Sequence, residues 1–177
     1  MKLIVFSGLP GVGKSVLAEA AGRTLGIPVF AKDWLEATVW GAGLSGGKDS
    51  VAVGYELMTM LAERQLRLGQ PAILDSVAGT ECIRSQWRDL AERYQAPFRV
   101  VECVCSGEDL HRARLDGRQR GIPGWRELEW SAVEQVRGYY APWQDERLVV
   151  DMVNPLAENA AAVIAYLKGE QERVPSG

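Results

Sequence analysis

Short apolar runs alternate along the chain with segments in which apolar residues recur every three or four positions. The runs predict five strands, at residues 3–6, 29–31, 71–75, 98–105 and 147–151. The segments between them predict helices, and glycines mark the ends of three of these, at Gly26, Gly69 and Gly169. Because strands and helices alternate, we expect βαβ units and an α/β fold with a parallel sheet.

Polar residues predict where several helices begin. A serine with an acidic residue three positions on is typical of a capping box, and the chain has this pattern at Ser106 and Ser131. We also expect Ser50 to cap the long central helix. Asn154, followed by Pro155, is expected to cap the last helix.

The length of 177 residues, 47% of them hydrophobic, fits one domain with enough apolar residues for a core. We expect a single domain over residues 1–169, a small lid near residues 112–128, and a flexible tail over 170–177. The glycine-rich segment at residues 41–47 is either a mobile substrate loop or only a surface connection.

Charge and hydropathy exclude several classes of protein. The formal net charge is −3 and the isoelectric point lies near 5.3, whereas a dedicated nucleic-acid binder usually has a basic surplus. The first apolar run is too short for a signal peptide or a membrane span. We therefore expect a cytoplasmic protein with no nucleic-acid or membrane partner, either a monomer or a homodimer.

The strongest motif lies between the first strand and the first helix. Residues 8–15 fit G-x-x-x-x-G-K-[ST], in which glycines let the backbone N–H groups turn inward around an anion. Lys14 would bring a positive charge to the β- and γ-phosphates, and Ser15 would offer its hydroxyl to Mg²⁺. We therefore predict that a nucleoside triphosphate is bound by Gly8, Leu9, Pro10, Gly11, Val12, Gly13, Lys14 and Ser15.

Two acidic residues follow predicted strands, where open α/β sheets bind their ligands. Asp75 closes an apolar strand, which is the Walker-B pattern of a carboxylate that holds Mg²⁺. Asp33 follows the second strand and has two interpretations. It is either the N-cap of the next helix, with Glu36 completing a capping box, or a functional carboxylate in the cleft.

Five arginines lie within fifteen residues, at positions 112, 114, 118, 120 and 126. They form either a solvated helix face or a lid that lays guanidinium groups over a transferring phosphate. On the second interpretation Arg114 and Arg118, four residues apart, share one helix face and act in catalysis, and Arg120 binds nucleotide. Nearby tryptophans at 125, 130 and 143 fit packing better than a stacking platform for a ligand.

With these motifs the chain resembles the small P-loop kinases of the group that contains chloramphenicol phosphotransferase, zeta-type toxin kinases and gluconate kinase, often described as AAA-family ATPases. The resemblance implies a three-layer fold, a five-stranded parallel sheet in the order 2-3-1-4-5, and ATP with Mg²⁺. It also implies that the stretch ending in Asp33 positions a substrate hydroxyl.

The function that follows is transfer of the γ-phosphate of ATP to a hydroxyl of a small molecule of antibiotic, nucleoside or sugar type, with Asp33 as the base. A nucleotide kinase and a nucleotide-sensing ATPase without an acceptor are the alternatives. A GTPase is excluded because the chain has no Asn-Lys-x-Asp. A nucleotide kinase would need arginines on the Asp33 side, where Arg84 is the only, distant candidate, so we favour an uncharged acceptor.

Overall fold

The computed structural model describes residues 1–43 and 48–169. The predicted flexible tail at residues 170–177 lies outside the described residues. So does part of the predicted glycine-rich loop, residues 44–47.

Five strands and seven helices make up the described chain. The strands are β1 (Leu3–Ser7), β2 (Val29–Ala31), β3 (Ala72–Asp75), β4 (Phe98–Val104) and β5 (Arg147–Asp151). The helices are α1 (Lys14–Leu25), α2 (Lys32–Gly41), α3 (Lys48–Arg67), α4 (Glu81–Arg93), α5 (Glu108–Asp116), α6 (Trp130–Tyr139) and α7 (Leu156–Lys168). All strand pairs are parallel, in the order β2-β3-β1-β4-β5, so the predicted fold class and strand order are confirmed.

Strand β1 is the centre of the sheet and is buried along its whole length. Val5 lies between Leu74 of β3 and Val100 of β4, as expected for an apolar strand covered on both faces. One apolar layer packs α3 and α4 against the sheet around Trp87, and the other packs α1 and α7 around Leu17. Because β1 is the central strand, its carboxyl end lies at the middle of the edge at which all five parallel strands end.

The N-cap interpretation of Asp33, one of the two left open, and the predicted N-cap at Ser50 are wrong. Helix α2 follows β2 with no intervening residue, so Ala31 takes the cap position and Asp33 lies inside the first turn. Ser50 lies inside α3, where its buried hydroxyl donates to Oε1 of Glu36 at 3.2 Å. In both places a tertiary contact uses the side chain that the local pattern assigns to a helix terminus.

Three further helix starts differ from the prediction by one or two residues. The observed N-caps are Gly107, Glu129 and Pro155 rather than Ser106, Ser131 and Asn154. None of the observed caps makes a side-chain capping hydrogen bond. The helix ends are predicted better, because Gly26 and Gly169 adopt the left-handed conformation at their C-caps.

No helix within residues 1–43 and 48–169 has the length and apolar character that crossing a membrane requires.

Candidate active site

The loop between β1 and α1, with the first two residues of α1, forms the predicted P-loop. Gly8, Gly11 and Gly13 all have positive φ angles, of 145°, 82° and 108°. A Cβ atom on Gly8 would lie 2.2 Å from the carbonyl oxygen of Cys103, so no side chain fits there. The positive φ angles favour glycine at all three positions, and two of these, Gly8 and Gly13, are the fixed glycines of the motif.

Helix α5 packs directly against this loop. Nε2 of His111 donates a hydrogen bond to the carbonyl oxygen of Pro10 at 2.7 Å, and the imidazole is 2% exposed. A Cβ atom on Gly11 would lie 2.9 Å from Cδ1 of Leu115, one turn further along the helix. The sequence predicts no role for His111, since a lone histidine has no partner nearby in the chain that could indicate one.

Lys14, at the start of α1, and Asp75, at the end of β3, are both buried and close enough for their charges to interact. Asp75 is in register with Phe6 of β1, and Lys14 is the first residue of α1. Burial lowers the pKa of the Lys14 ammonium and raises the pKa of the Asp75 carboxyl, while their mutual attraction opposes both shifts. Burial therefore disfavours the charged form of each group, and a bound phosphate beside Lys14 or a cation beside Asp75 would oppose this effect.

The residues predicted to hold metal fit a divalent cation. Oδ1 of Asp75 is buried with no hydrogen-bond partner in the described part of the chain. The Ser15 hydroxyl lies close enough to lower the pKa of the Asp75 carboxyl. A carboxylate oxygen and a hydroxyl are ligands that Mg²⁺ prefers, so Ser15 and Asp75 are suited to the predicted site.

Asp33 reaches the same sheet edge from α2. Its Oδ2 accepts a hydrogen bond in an ion pair with Nη1 of Arg120, and its Oδ1 lies 4.0 Å from Nζ of Lys32. Burial would raise the pKa of Asp33, but the charges of Arg120, Lys14 and Lys32 outweigh it and the pKa is lowered. Asp33 is thus a carboxylate held among cations.

The predicted shared helix face of Arg114 and Arg118 is wrong. Helix α5 ends at Asp116, with Gly117 as its C-cap, so Arg118 belongs to residues 117–129, which we call the arginine loop. Arg114 stays on the helix and donates to the carbonyl oxygen of Met152 at 2.8 Å.

The other arginines divide between the cleft and the surface. Nε of Arg118 lies 3.8 Å from Oε2 of Glu127, and the charge of Arg118 helps to lower the pKa of Lys14. Arg118 and Arg120 therefore both lie near the P-loop lysine. Arg112 is exposed, pairs with Glu108, and lies 4.0 Å above the ring of Trp130, so the solvated-face interpretation applies to it.

Arg84 does not serve the acceptor side. It is fully buried, donates to the carbonyl oxygens of Ala78 and Pro142 at 2.8 and 3.0 Å, and lies 3.9 Å above the ring of Trp143. An arginine in this position supports the fold and cannot reach a phosphate in the cleft.

The sequence does not predict one aromatic contact, between the arginine loop and α2. Trp125 of the arginine loop stacks on Trp40 of α2, with ring centroids 5.0 Å apart and planes 8° from parallel. No local pattern could have indicated this pair, since the two residues are 85 positions apart in the chain.

The chain is similar in fold to solved kinases. A candidate kinase from Chloroflexus aurantiacus matches with a TM-score of 0.78 at 20% identity, over 95% of this chain and 97% of its own. A gluconokinase from Sinorhizobium meliloti matches with 0.69 at 20% identity, over 97% and 98%. The APS kinase of Mycobacterium tuberculosis, solved with AMPPNP and APS, matches with 0.63 at 23% identity, over 94% and 97%.

No curated protein matches the chain. A family model described as an AAA domain matches residues 3–142, which include the P-loop, both strand-end aspartates and the arginine loop. The predicted likeness to small P-loop kinases is confirmed at the level of the fold, and the chain belongs to this AAA domain family of P-loop proteins.

Proposed function

We propose that the protein is an ATP-dependent kinase that transfers the γ-phosphoryl group to a hydroxyl of a small molecule. The convergence of Lys14, Asp75, Asp33 and Arg118 at one sheet edge is the observation that carries this proposal. A protein that only binds nucleotide needs the first two of these groups. The second carboxylate and the arginine have a use when a phosphoryl group moves to an acceptor.

The P-loop would bind the β- and γ-phosphates through its backbone N–H groups and Lys14. The amino end of α1, which begins at Lys14, points the positive end of its dipole at the same place. Ser15 and Asp75 would hold Mg²⁺, which when bound offsets negative charge on the phosphate oxygens. Arg118, near Lys14, would stabilise charge on the transferring group.

Asp33 would accept a hydrogen bond from the attacking hydroxyl and orient it towards the γ-phosphate. Its lowered pKa makes it a weak base in the arrangement described. This suits phosphoryl transfer, where the transition state is loose and the proton leaves the nucleophile late. Movement of Arg120 away from Asp33 would raise the pKa and strengthen the base.

The charges around Asp33 support an uncharged acceptor over a nucleotide. Lys32 donates to the buried carboxylate of Glu36, and Arg120 is paired with Asp33 itself. Since Arg84 is buried in the fold, the described part of this side of the cleft offers no arginine for a second phosphate except those of the arginine loop.

The experiment that tests the proposal is a screen of hydroxyl compounds for ADP release above the rate without an acceptor. Lys14→Ala should abolish this release while the protein stays folded. Asp33→Asn should still bind AMPPNP but lose transfer to any acceptor found. Asp109→Asn, an exposed acid on α5, is the matched control and should keep both activities. Full transfer by Asp33→Asn would refute the role of Asp33.

A further inference from the structure

We propose that Arg120 and Trp125 form a latch that covers Asp33 until a γ-phosphate draws Arg120 away, so that the nucleotide binds before the acceptor. This inference rests on the proposed kinase function and adds an order of binding to it. Trp125 becomes a positioning residue of the reaction, and Arg120 is shared between the carboxylate and the phosphate.

Arg120 occupies one of the two carboxylate oxygens of Asp33 in the arrangement described. Oδ2 is held by Nη1 of Arg120, and Oδ1 faces Nζ of Lys32. The side chains of Arg120 and Asp33 are only 9% and 24% exposed, so water does not weaken their ion pair as it would on the surface. An acceptor hydroxyl can therefore take the place of the guanidinium at Oδ2 only after Arg120 has moved.

The tryptophan stack is the second part of the latch. Trp125 lies five residues after Arg120 in the arginine loop and stacks on Trp40, while Asp33 lies seven residues before Trp40. The guanidinium of Arg120 also lies 5.6 Å from the centroid of the Trp125 ring. The ion pair and the stack thus join the same loop to the same helix, and they should form and part together.

The stacked pair carries a cost that a permanent core contact would avoid. Nε1 of Trp40 and Nε1 of Trp125 are both buried with no hydrogen-bond partner among the described residues. A buried donor without an acceptor is destabilising. When the stack parts, both N–H groups regain water, which makes the covered state easier to leave.

A γ-phosphate is the group suited to release the latch. Arg120 lies close enough to Lys14 for its charge to oppose that of the lysine, and Lys14 is where the P-loop would bind the terminal phosphates. A phosphate there would attract Arg120 away from the single charge of Asp33. Gly121 and Gly124, both with positive φ, lie between Arg120 and Trp125, each next to one of the two residues that must rearrange.

The test compares AMPPNP with ADP, each with Mg²⁺, by calorimetry and tryptophan fluorescence. AMPPNP should shift the emission of the wild-type protein to longer wavelength as Trp40 and Trp125 become hydrated, and ADP should not. Trp125→Phe should reduce the shift, because only Trp40 of the stacked pair then remains to report it. Trp34→Phe, which changes an exposed tryptophan of the same helix, should leave the shift in place.

A variant gives a second, quantitative readout. Trp125→Leu removes the stack but keeps every group assigned to phosphate or metal. Because binding no longer has to break the stack, its affinity for AMPPNP should rise by about two- to twelvefold, with no change for ADP. A residue that only supported the fold would lower both affinities or change neither.

Three results separate the inference from the function on which it rests. If neither nucleotide binds the wild-type protein, the kinase proposal is refuted, and the latch with it. If both bind but AMPPNP and ADP change the emission alike, or AMPPNP changes nothing, the latch is refuted and the kinase proposal stands. An AMPPNP affinity of Trp125→Leu at or below that of the wild type also refutes the latch.

Discussion

Replacing His111 by leucine should loosen the P-loop by removing its hydrogen bond to α5. The imidazole is buried, its Nε2 donates to the Pro10 carbonyl oxygen at 2.7 Å, and its ring meets Trp130 edge-on at 5.0 Å. Leucine is an apolar side chain with no donor for that oxygen. The substitution therefore tests the hydrogen bond with little change in packing volume.

The expected loss in stability follows from those two contacts. A buried carbonyl left without its donor costs about 1–3 kcal/mol, and an edge-to-face ring contact contributes about 0.5–1.5 kcal/mol. For a chain of this size each kcal/mol lowers Tm by about 2–4 °C. We expect thermal unfolding of His111→Leu to begin several degrees below the wild type, with a weaker affinity for ADP measured by calorimetry.

His111→Gln separates the hydrogen bond from the ring, because its amide nitrogen can donate near the position of Nε2. It should recover most of the ADP affinity. Arg112→Ala, an exposed change on the same helix, is the control and should shift Tm by little. If His111→Leu unfolds and binds ADP like the wild type, the contact with α5 does not hold the loop, and the reasoning is wrong.

Three further predictions follow from the geometry of the site. Gly8→Ala should lower the free energy of unfolding in urea by about 2 kcal/mol or more, since its Cβ would overlap the Cys103 carbonyl oxygen. Burial raises the pKa of Asp33, but the charges of Arg120, Lys14 and Lys32 together outweigh it and lower the pKa, so the carboxylate stabilises the fold above about pH 4 and loses this effect in acid. The Tm of Asp33→Asn should fall below the wild type at pH 7, and the difference should shrink progressively as the pH falls below about 4. Arg118→Ala should lower turnover by about 10³-fold while ADP affinity, measured by calorimetry, changes little.

The strands and the P-loop could be predicted because their signals are local. The limits of β2 and β5 are as predicted, since an apolar run bounded by polar residues and glycines needs no tertiary information. The motif alone identifies Gly8, where the structure brings the backbone of Cys103 too close for any side chain. The strand order came from the likeness to a family, because spacing alone does not say which strands are neighbours.

Helix starts and side-chain partners could not be predicted, because they depend on contacts across the fold. Ser50 has the residue type of an N-cap, yet its hydroxyl bonds to Glu36 on another helix. His111 holds a carbonyl 101 residues away, and Arg120 pairs with an acid 87 residues away. Such separations lie beyond any helical or strand periodicity, and only the folded topology brings the partners together.

The arginine segment shows why composition alone is a weak guide to function. Five arginines in fifteen residues suggest one phosphate clamp, but Gly117 ends α5 and divides them. Arg112 stays on the surface, Arg114 is tied to Met152, and Arg118 lies in the cleft. The role of each arginine depends on how deeply its side chain is buried and on which group it contacts. Both follow from the residue at which α5 ends.

The charges in the cleft also explain why the protein should bind a triphosphate and a divalent cation together. Burial disfavours the charged forms of Lys14 and Asp75, and the charge of Arg118 adds to the shift of Lys14. A bound triphosphate would offset the positive charges of Lys14 and Arg118, and a bound divalent cation would offset the negative charge of Asp75. Either ligand alone leaves the charge of the other sign uncompensated. Since each ligand reduces the cost of binding the other, their stabilisation of the fold should exceed the sum of their separate effects.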